Sequence, residues 1–394
     1  MSRPTLHLRP GQAQRLRQGH PWAYANELVL DAAALALAPG SLVRLVDGGG
    51  VPLGCATFNP HSLIAARLIA ADPDAVIDGG FCRDRLEAAL GLRRRLFAEP
   101  FYRLVHAEGD GLPGLVIDRF DDVLVLQPNT AGAERLLEPV IAALETVIAP
   151  RAVVVRADAP VRGLERLEAW TAVVRGSLAE PVPVREGGVR FFADVVGGQK
   201  TGWYFDQRAN RGFLGRLAEG ARVLDLYGYS GAFALRLVAA GAGEARVIDR
   251  SELGIALGTR AAAENGLGAR IAFAREDAFA ELARLAREGT RFDIVVADPP
   301  SFVKSRKALK PGLRGYRKLA RLAAGAVAPG GFLFIASCSH NVSAADFQVA
   351  VARGLVDAGR SGRIVRAAGA DADHPVHPGL PETAYLKSLV IQLA

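Results

Sequence analysis

Four carboxylates and one thiol fall in the same kind of place along this chain, at or just after short apolar runs that read as β-strands. Asp225 lies in Asp225-Leu-Tyr-Gly228-Tyr-Ser-Gly231-Ala-Phe, Asp249 closes the run from Ala245, and Asp277 follows Ile271 to Arg275. Asp298 opens Asp298-Pro299-Pro300-Ser301-Phe302, and Cys338 sits in Ala336-Ser-Cys338-Ser-His340. Taken singly, an Asp after a strand is more often a helix cap than a ligand. Three in succession describe a site for a nucleotide-like cofactor, with Asp249 standing 24 residues after Asp225, close to the ~20-residue offset at which an acid accepts from ribose hydroxyls. Asp277 is then placed for an adenine amino group. Gly228 and Gly231 let backbone approach a ligand and turn into a helix. The loop does not supply G-x-G-x-x-G, which counts against NAD and FAD and so against a dehydrogenase. Cys338 has the position of a nucleophile, active as its thiolate. The plain alternative, a small buried core residue, fits Cys55 and Cys82 better.

Taken together, the strand-end acids and Asp298-Pro-Pro-Ser-Phe302 resemble a class I S-adenosylmethionine methyltransferase. Adjacent prolines fix the turn that aims an acid and a backbone carbonyl at a planar base. For such an enzyme Cys338 has a definite use. Cytosine C5 is too weak a nucleophile to take a methyl group directly, but a thiolate adding to C6 makes an enamine whose C5 attacks a sulfonium methyl. Asp298 would hold the base through its exocyclic amino group or protonated N3. No second cysteine accompanies Asp298, so the group that takes the C5 proton stays open. The segment from Val303 to Lys318 carries seven basic residues and no acid. With Pro299, Pro300 and Phe302, its Lys304, Lys307 and Arg314 are candidates for contacts to a target nucleotide held out of its stack.

The elements that must position these groups read as a C-terminal doubly wound α/β domain. Expected strands are Ala221 to Leu226, Ala245 to Asp249, Ile271 to Arg275, Phe292 to Ala297, Gly331 to Ser337 and a last one from Ala384 to Leu393, with helices between, as in a parallel sheet. Upstream, Leu42 to Leu68 reads as a small β-barrel. Gly80 to Phe97 reads as a helix, followed by strands near Leu115 to Asp118 and Val123 to Gln127, a helix from Ala131 to Ile148 and a strand at Ala152 to Arg156. The Pro/Gly-rich stretch Glu180 to Gly188 precedes the alternation of strand and helix patterns. This gives three expected domains, 1–72, 73–180 and 181–394. Half of the 394 residues are hydrophobic, 23% are charged and the net charge is +7, which favours a polyanionic partner. Arg3, Arg9, Arg15 and Arg17 form a second basic stretch near the start. No apolar run reaches the ~18 residues of a membrane helix, and three cysteines make no disulfide framework. A reducing cytoplasm is the expectation. His374-Pro-Val-His377 lacks the companions of a metal site and reads as a loop, so no metal is expected.

With those residues in view, the whole chain resembles the large-subunit (23S) ribosomal RNA cytosine-C5 methyltransferases that carry an N-terminal PUA domain. Arg17-Gln-Gly-His20-Pro-Trp22 and Gly54-Cys-Ala-Thr-Phe-Asn59-Pro are similar to the PUA part, and Glu108-Gly-Asp-Gly111-Leu-Pro-Gly114-Leu-Val-Ile-Asp118-Arg-Phe to the central domain. Gly198-Gln-Lys-Thr-Gly202-Trp-Tyr-Phe-Asp206-Gln-Arg208 resembles the segment these enzymes lay over the cofactor. The resemblance implies S-adenosylmethionine as donor. Lys200, Thr201, Gly202, Tyr204, Phe205 and Gln207 would surround it, with Tyr227, Ser230 and Gly231 after Asp225, Arg250 and Ser251 after Asp249, Ala278 after Asp277, and Asp298. It implies ribosomal RNA as partner, with the PUA part helping to dock it, and is compatible with a homodimer. A related branch with the same Gln-Lys-Thr-Gly and Asp-Pro-Pro elements methylates guanine without a covalent intermediate. An RNA-binding or assembly factor that has lost activity is the alternative from another class. The nucleotide modified, and whether naked RNA or a subunit particle is the substrate, are not written in the sequence.

Overall fold

A computed structural model describes residues 3–178 and 181–394. They form two compact units. The first holds Met1–Val182, Asp194–Phe205 and Ala372–Pro381, and the second holds Pro183–Ala193, Asp206–Asp371 and Glu382–Ala394.

The second unit is built on a seven-stranded sheet of β1 (Arg222–Leu226), β2 (Glu244–Asp249), β3 (Ile271–Arg275), β4 (Phe292–Ala297), β5 (Val327–Ser337), β6 (Gly362–Ala368) and β7 (Lys387–Leu393). Its spatial order is β3-β2-β1-β4-β5-β7-β6. β1 to β5 are parallel, as their sequence of buried Val, Leu, Ile and Ala runs anticipates. β7 runs antiparallel to both β5 and β6, which corrects the expectation of a uniformly parallel sheet. β6 was not expected, because most of its residues are exposed and carry no apolar run. Helices α1 (Arg208–Gly215), α2 (Ala232–Ala239), α3 (Glu252–Glu264), α4 (Ala278–Glu288), α5 (Leu309–Gly325) and α6 (Ala344–Asp357) join the strands. Side chains of α4, α5 and α6 pack with β1, β4, β5 and β7 in one core that includes Leu282, Tyr316, Leu319, Phe347, Leu333 and Ile391. The Pro/Gly-rich stretch before this domain contains a strand: Val182–Glu186 pairs with Val189–Ala193 in a hairpin. Glu180, where that stretch begins, lies outside the described residues.

The first unit carries two five-stranded sheets. One contains Ser41–Val46, Pro52–Phe58 and Ala66–Ala70, as expected, with Thr5–His7 and Trp22–Ala23 at its edges. The other joins the expected strands Leu115–Phe120, Val123–Pro128 and Ala152–Ala157 to two that were not expected, Phe101–His106 and Trp170–Gly176. Helix Gly79–Leu96 starts at Asp78, whose carboxylate accepts from the Phe81 N–H. The expected single helix from Ala131 is broken into Ala131–Arg135 and Leu137–Val147. The four arginines near the start are committed to the protein. Arg3 donates to the Pro73 and Ala75 carbonyls, Arg9 to the Leu28 carbonyl, and Arg15 and Arg17 pair with Glu27 and Asp47.

Glu165 ties the two sheets of this unit together. It is 2% exposed, and its carboxylate accepts from Asn59 Nδ2 at 2.9 Å, Ser62 Oγ at 2.7 Å and Arg67 Nη1 at 3.1 Å. Burial alone would raise its pKa, but Arg67, Ser62, Asn59 and the Ala131 N–H outweigh that and hold it below the usual value. Glu165→Ala leaves Arg67 buried without this partner, so equilibrium urea unfolding is expected to register a loss of about 3–5 kcal/mol. Because the folded state holds the pKa down, the wild-type contribution is present above the unfolded pKa near 4.5 and drains away as pH falls through the folded value. A variant as stable as wild type near neutral pH would contradict this.

Candidate active site

The chain order of the sheet reverses between β1 and β4, and ligands of such folds bind at the carboxyl ends of the strands beside that point. Register brings the strand ends level: Leu226 pairs with Ile248 on one side and Ala297 on the other, and Ala297 pairs with Ile335. Asp225, Asp249, Asp298 and Cys338 therefore share one end of one sheet.

The loop after β4 and the loop after β5 are fastened by hydroxyl groups. Ser339 Oγ lies 2.8 Å from Ser301 Oγ and 2.8 Å from the Tyr316 phenol, and the Val303 N–H also donates to it at 3.4 Å. Ser337 Oγ donates to the same phenol at 2.8 Å. Ser337, Ser339 and Tyr316 are each no more than 1% exposed. The residues on both sides of Cys338 are thus fixed to the segment that begins at Asp298, while Cys338 itself is only half-buried. Cys55 and Cys82 are buried in the core of the first unit, and burial pushes the Cys82 thiol up to about 11.

Asp298 is also half-buried. Gln207 Nε2 donates to its Oδ2 at 2.8 Å, and Gln207 Oε1 accepts from Asn210 Nδ2 at 2.7 Å. Gln207, expected at the cofactor, is thus hydrogen-bonded to Asp298. Asp225 is 1% exposed and accepts from the Ala234 N–H through Oδ2, while its Oδ1 has no hydrogen-bond partner among the described residues. Burial pushes Asp225 up to about 7, against the Ala234 hydrogen bond and with help from the Asp298 and Asp249 charges.

The loop after β1 departs from its expected geometry. Positive φ falls on Tyr227 at 60° and Tyr229 at 48° as well as on Gly231. Gly228 is glycine for lack of room, since a Cβ there would come within 2.6 Å of Val247 and 3.0 Å of the Asp225 carboxyl carbon. A Cβ at Gly231 would strike the Phe273 ring at 2.9 Å. Asp249 pins this loop, accepting from the Tyr229 N–H at 2.9 Å and from the Ser251 N–H at 2.7 Å. Ser251 in turn caps α3 through the Gly254 N–H. Asp277 Oδ1 accepts from the Phe279 and Ala280 N–H groups and caps α4. Ala278 is buried, Ser230 is 3% exposed and Arg250 is exposed.

Of the Gln-Lys-Thr-Gly segment, Lys200 to Phe205 fold with the first unit and Gln207 with the second. Thr201 Oγ1 donates to Asp118 at 2.5 Å, Lys200 lies over the Tyr204 ring at 4.7 Å, and Phe205 packs on Phe120 with ring centroids 5.3 Å apart. Gly202 takes a positive φ in the turn that its N–H closes onto Gln199.

Among the expected substrate contacts, Lys304, Lys307, Arg314 and Pro300 are exposed and Pro299 is buried. Phe302 belongs instead with the core, its ring 4.8 Å from that of Tyr316. Arg317 pairs with Asp357 and Lys318 lies over Phe279, which assigns both to packing. Lys387 was not expected. It reaches the loop after β5 from β7, donating to the Ser339 carbonyl at 2.7 Å. Only the antiparallel register of β7 could have revealed it.

Comparison with known proteins identifies the chemistry at this sheet end. Residues 146–387 match the S-adenosylmethionine-dependent methyltransferase family and residues 6–71 the PUA-like domain. A protein of Erwinia tasmaniensis named ribosomal RNA large subunit methyltransferase I is 36% identical over 394 residues, spanning 98% of this chain and 99% of its own. One of the same name from Alteromonas mediterranea is 34% identical over 391 residues, 98% of each chain. The chain belongs to this family of S-adenosylmethionine-dependent methyltransferases. Its fold also matches SMU.776, a candidate methyltransferase solved with SAH, at a TM-score of 0.84 and 21% identity over 99% of this chain and 100% of the other. A second chain of this type, from Streptococcus mutans, matches at a TM-score of 0.83 and 20% identity over 99% and 100%.

The residues present fit the methyl donor. S-adenosylmethionine carries an ammonium and a sulfonium, and the sheet end offers grouped carboxylates, one of them with a buried oxygen still lacking a donor. Among the described residues no helix is long and apolar enough to cross a membrane, and no cluster of potential metal ligands occurs. Ser339→Ala removes the hydroxyl that Ser301 and Tyr316 share. Urea unfolding is expected to register a loss of about 1–3 kcal/mol, and an unchanged midpoint would mean that the two loops are held some other way.

Proposed function

We propose that this protein methylates large-subunit ribosomal RNA, forming 5-methylcytosine with Cys338 as nucleophile and Asp298 as the acid that orients the base. The observation that carries the reading is the hydroxyl network that fixes both neighbours of a half-buried cysteine to the loop of the base-binding acid. Relatives that span nearly the whole chain and are named for large-subunit ribosomal RNA support the substrate.

S-adenosylmethionine, when bound, supplies an electrophilic methyl group on a sulfonium sulfur. In this reading Asp225, Asp249 and Asp298 would hold its polar groups, with Ser230 and Gly231 in the loop after β1 beside them. The Cys338 thiolate adds to cytosine C6, so that a carbon–sulfur bond forms and the C5–C6 double bond gives up its electron pair, leaving C5 nucleophilic. Asp298, steadied by Gln207, accepts a hydrogen bond from the exocyclic amino group or from protonated N3 as charge gathers on the ring. Once C5 carries its fourth substituent, loss of the C5 proton and departure of Cys338 as thiolate restore the aromatic ring and the enzyme. Lys304, Lys307 and Arg314 are exposed and suited to phosphates on either side of the target. We assign residues 1–72 to RNA docking, 73–180 to a central scaffold and 181–394 to methyl transfer.

Cys338→Ala is expected to abolish 5-methylcytosine, read by nucleoside analysis of ribosomal RNA treated with enzyme and donor. Full activity in that variant, or methylguanosine as product, would overturn the reading. Donor affinity is expected to fall as pH drops below about 7, where Asp225 takes up a proton in the free protein. The limit is about tenfold per pH unit, because a cationic ligand favours the ionised acid. Titration calorimetry near pH 6 and near pH 8 checks this, and the dependence should vanish in Asp225→Asn. Equal affinity at both pH values would contradict the assignment of Asp225.

A further inference from the structure

A thiolate at Cys338 needs a counter-charge, and the basic residues closest to it in sequence or in the Asp298 loop are poorly suited to supply one. His340 is exposed, its ring 5.2 Å from that of Tyr385. Lys304, Lys307 and Lys310 are exposed as well. The carboxylate of Asp298, at the end of the adjacent strand, opposes negative charge on the sulfur.

The cation comes from the neighbouring strand, β7. The antiparallel pairing of β5 with β7 sets Lys387 opposite Ser337, the residue before Cys338. The Lys387 ammonium donates to the carbonyl of Ser339, the residue after it, at 2.7 Å. Lys387 is thus fixed against both neighbours of the thiol. Its acceptor is a neutral carbonyl, so this hydrogen bond leaves the positive charge available to the sulfur. Lys387 is half-buried, and burial pushes its pKa down while a charge on Cys338 pulls it back up. The chain carries 48 basic side chains of which six are lysines, and one of the six stands here. An ammonium is a compact point charge that fits beside a backbone turn, where a planar guanidinium demands a wider set of partners.

We propose that Lys387 is a positioning residue that holds the Cys338 sulfur as a thiolate. This rests on the reading of Cys338 as nucleophile. Other titratable groups near this strand end include Tyr316 of α5, whose phenol is bound by Ser337 and Ser339, Asp298 beyond β4, and His340 and Tyr385, whose rings lie 5.2 Å apart. Lys387 is fixed by a hydrogen bond to the turn that holds the sulfur.

The test is the rate of Cys338 alkylation by iodoacetamide in the full-length protein, resolved by peptide mass spectrometry from about pH 6 to about pH 10. Cys55 and Cys82 serve as buried internal references. Lys387→Met is expected to raise the alkylation midpoint by about one pH unit and to slow the reaction at neutral pH about tenfold. Lys387→Gln, which keeps a donor to Ser339 without the charge, should do the same, and Lys387→Arg should restore most of the wild-type rate. Methyl transfer by Lys387→Gln should recover as pH rises, which a merely structural defect would not do. An unchanged alkylation midpoint in Lys387→Gln overturns the proposal. Failure of the nucleophile reading is separate and visible elsewhere: 5-methylcytosine would persist in Cys338→Ala whatever the thiol titration in the lysine variants.

Discussion

The hydroxyl of Ser339 is the constraint on which the arrangement of this site depends. It is buried, and it joins a serine from the loop after β4, a tyrosine from α5 and a backbone N–H from the start of the basic segment. A loop that leaves a strand end has many conformations, and fixing each residue costs about 1–2 kcal/mol in backbone entropy. Here that ordering is built in before any ligand arrives. Ser339 follows Cys338 by one residue and Ser301 follows Asp298 by three, so one contact fixes two chemically active loops relative to each other. For a nucleophile and an orienting acid that must meet opposite parts of one small ring, such preorganisation is what converts proximity into rate.

Electrostatics at the same sheet end pull in two directions. Burial supplies most of the upward shift at Asp225, and the charges of Asp298 and Asp249 add to it. In the proposed reading a cationic methyl donor would relieve that tension. Behind them, Arg211 and Glu186 form a buried ion pair, 2.7 Å between Nε and Oε1, that anchors α1 to the hairpin strand Val182–Glu186. α1 begins directly after Gln207, the residue that holds Asp298. The position of Asp298 is therefore supported by a packed ionic core as well as by the strand it follows.

Much of this was legible in the sequence, and what was missed has physical causes. The parallel strands announced themselves because strands buried on both faces read as continuous apolar runs, and their ends located Asp225, Asp249, Asp298 and Cys338. β6 escaped because it is an exposed edge strand without such a run. Asp277 illustrates the ambiguity of a single acid after a strand, since capping and ligand binding place the same residue type at the same position. Phe302 sits in a motif that suggests a base contact, yet its ring is taken by Tyr316, fourteen residues along, across a turn that sequence does not specify. The glycines after β1 looked like room for a ligand, and at least part of their reason is room for Val247, Asp225 and Phe273. Lys387 was out of reach because its contact depends on a register between strands about fifty residues apart. The arginines near the start looked unpaired because their partners, Glu27, Asp47 and several carbonyls, become neighbours only on folding.

The central claim is that Cys338 forms a covalent bond to the base that Asp298 orients. It is tested most directly by incubating the enzyme with S-adenosylmethionine and ribosomal RNA transcribed with 5-fluorocytidine, in which the fluorine at C5 blocks the final elimination. The account requires a stable protein–RNA adduct whose linkage, after nuclease and protease digestion, maps to the peptide containing Cys338. An enzyme that methylates the unmodified RNA yet forms no adduct with the fluorinated one, or forms it at another residue, would contradict it.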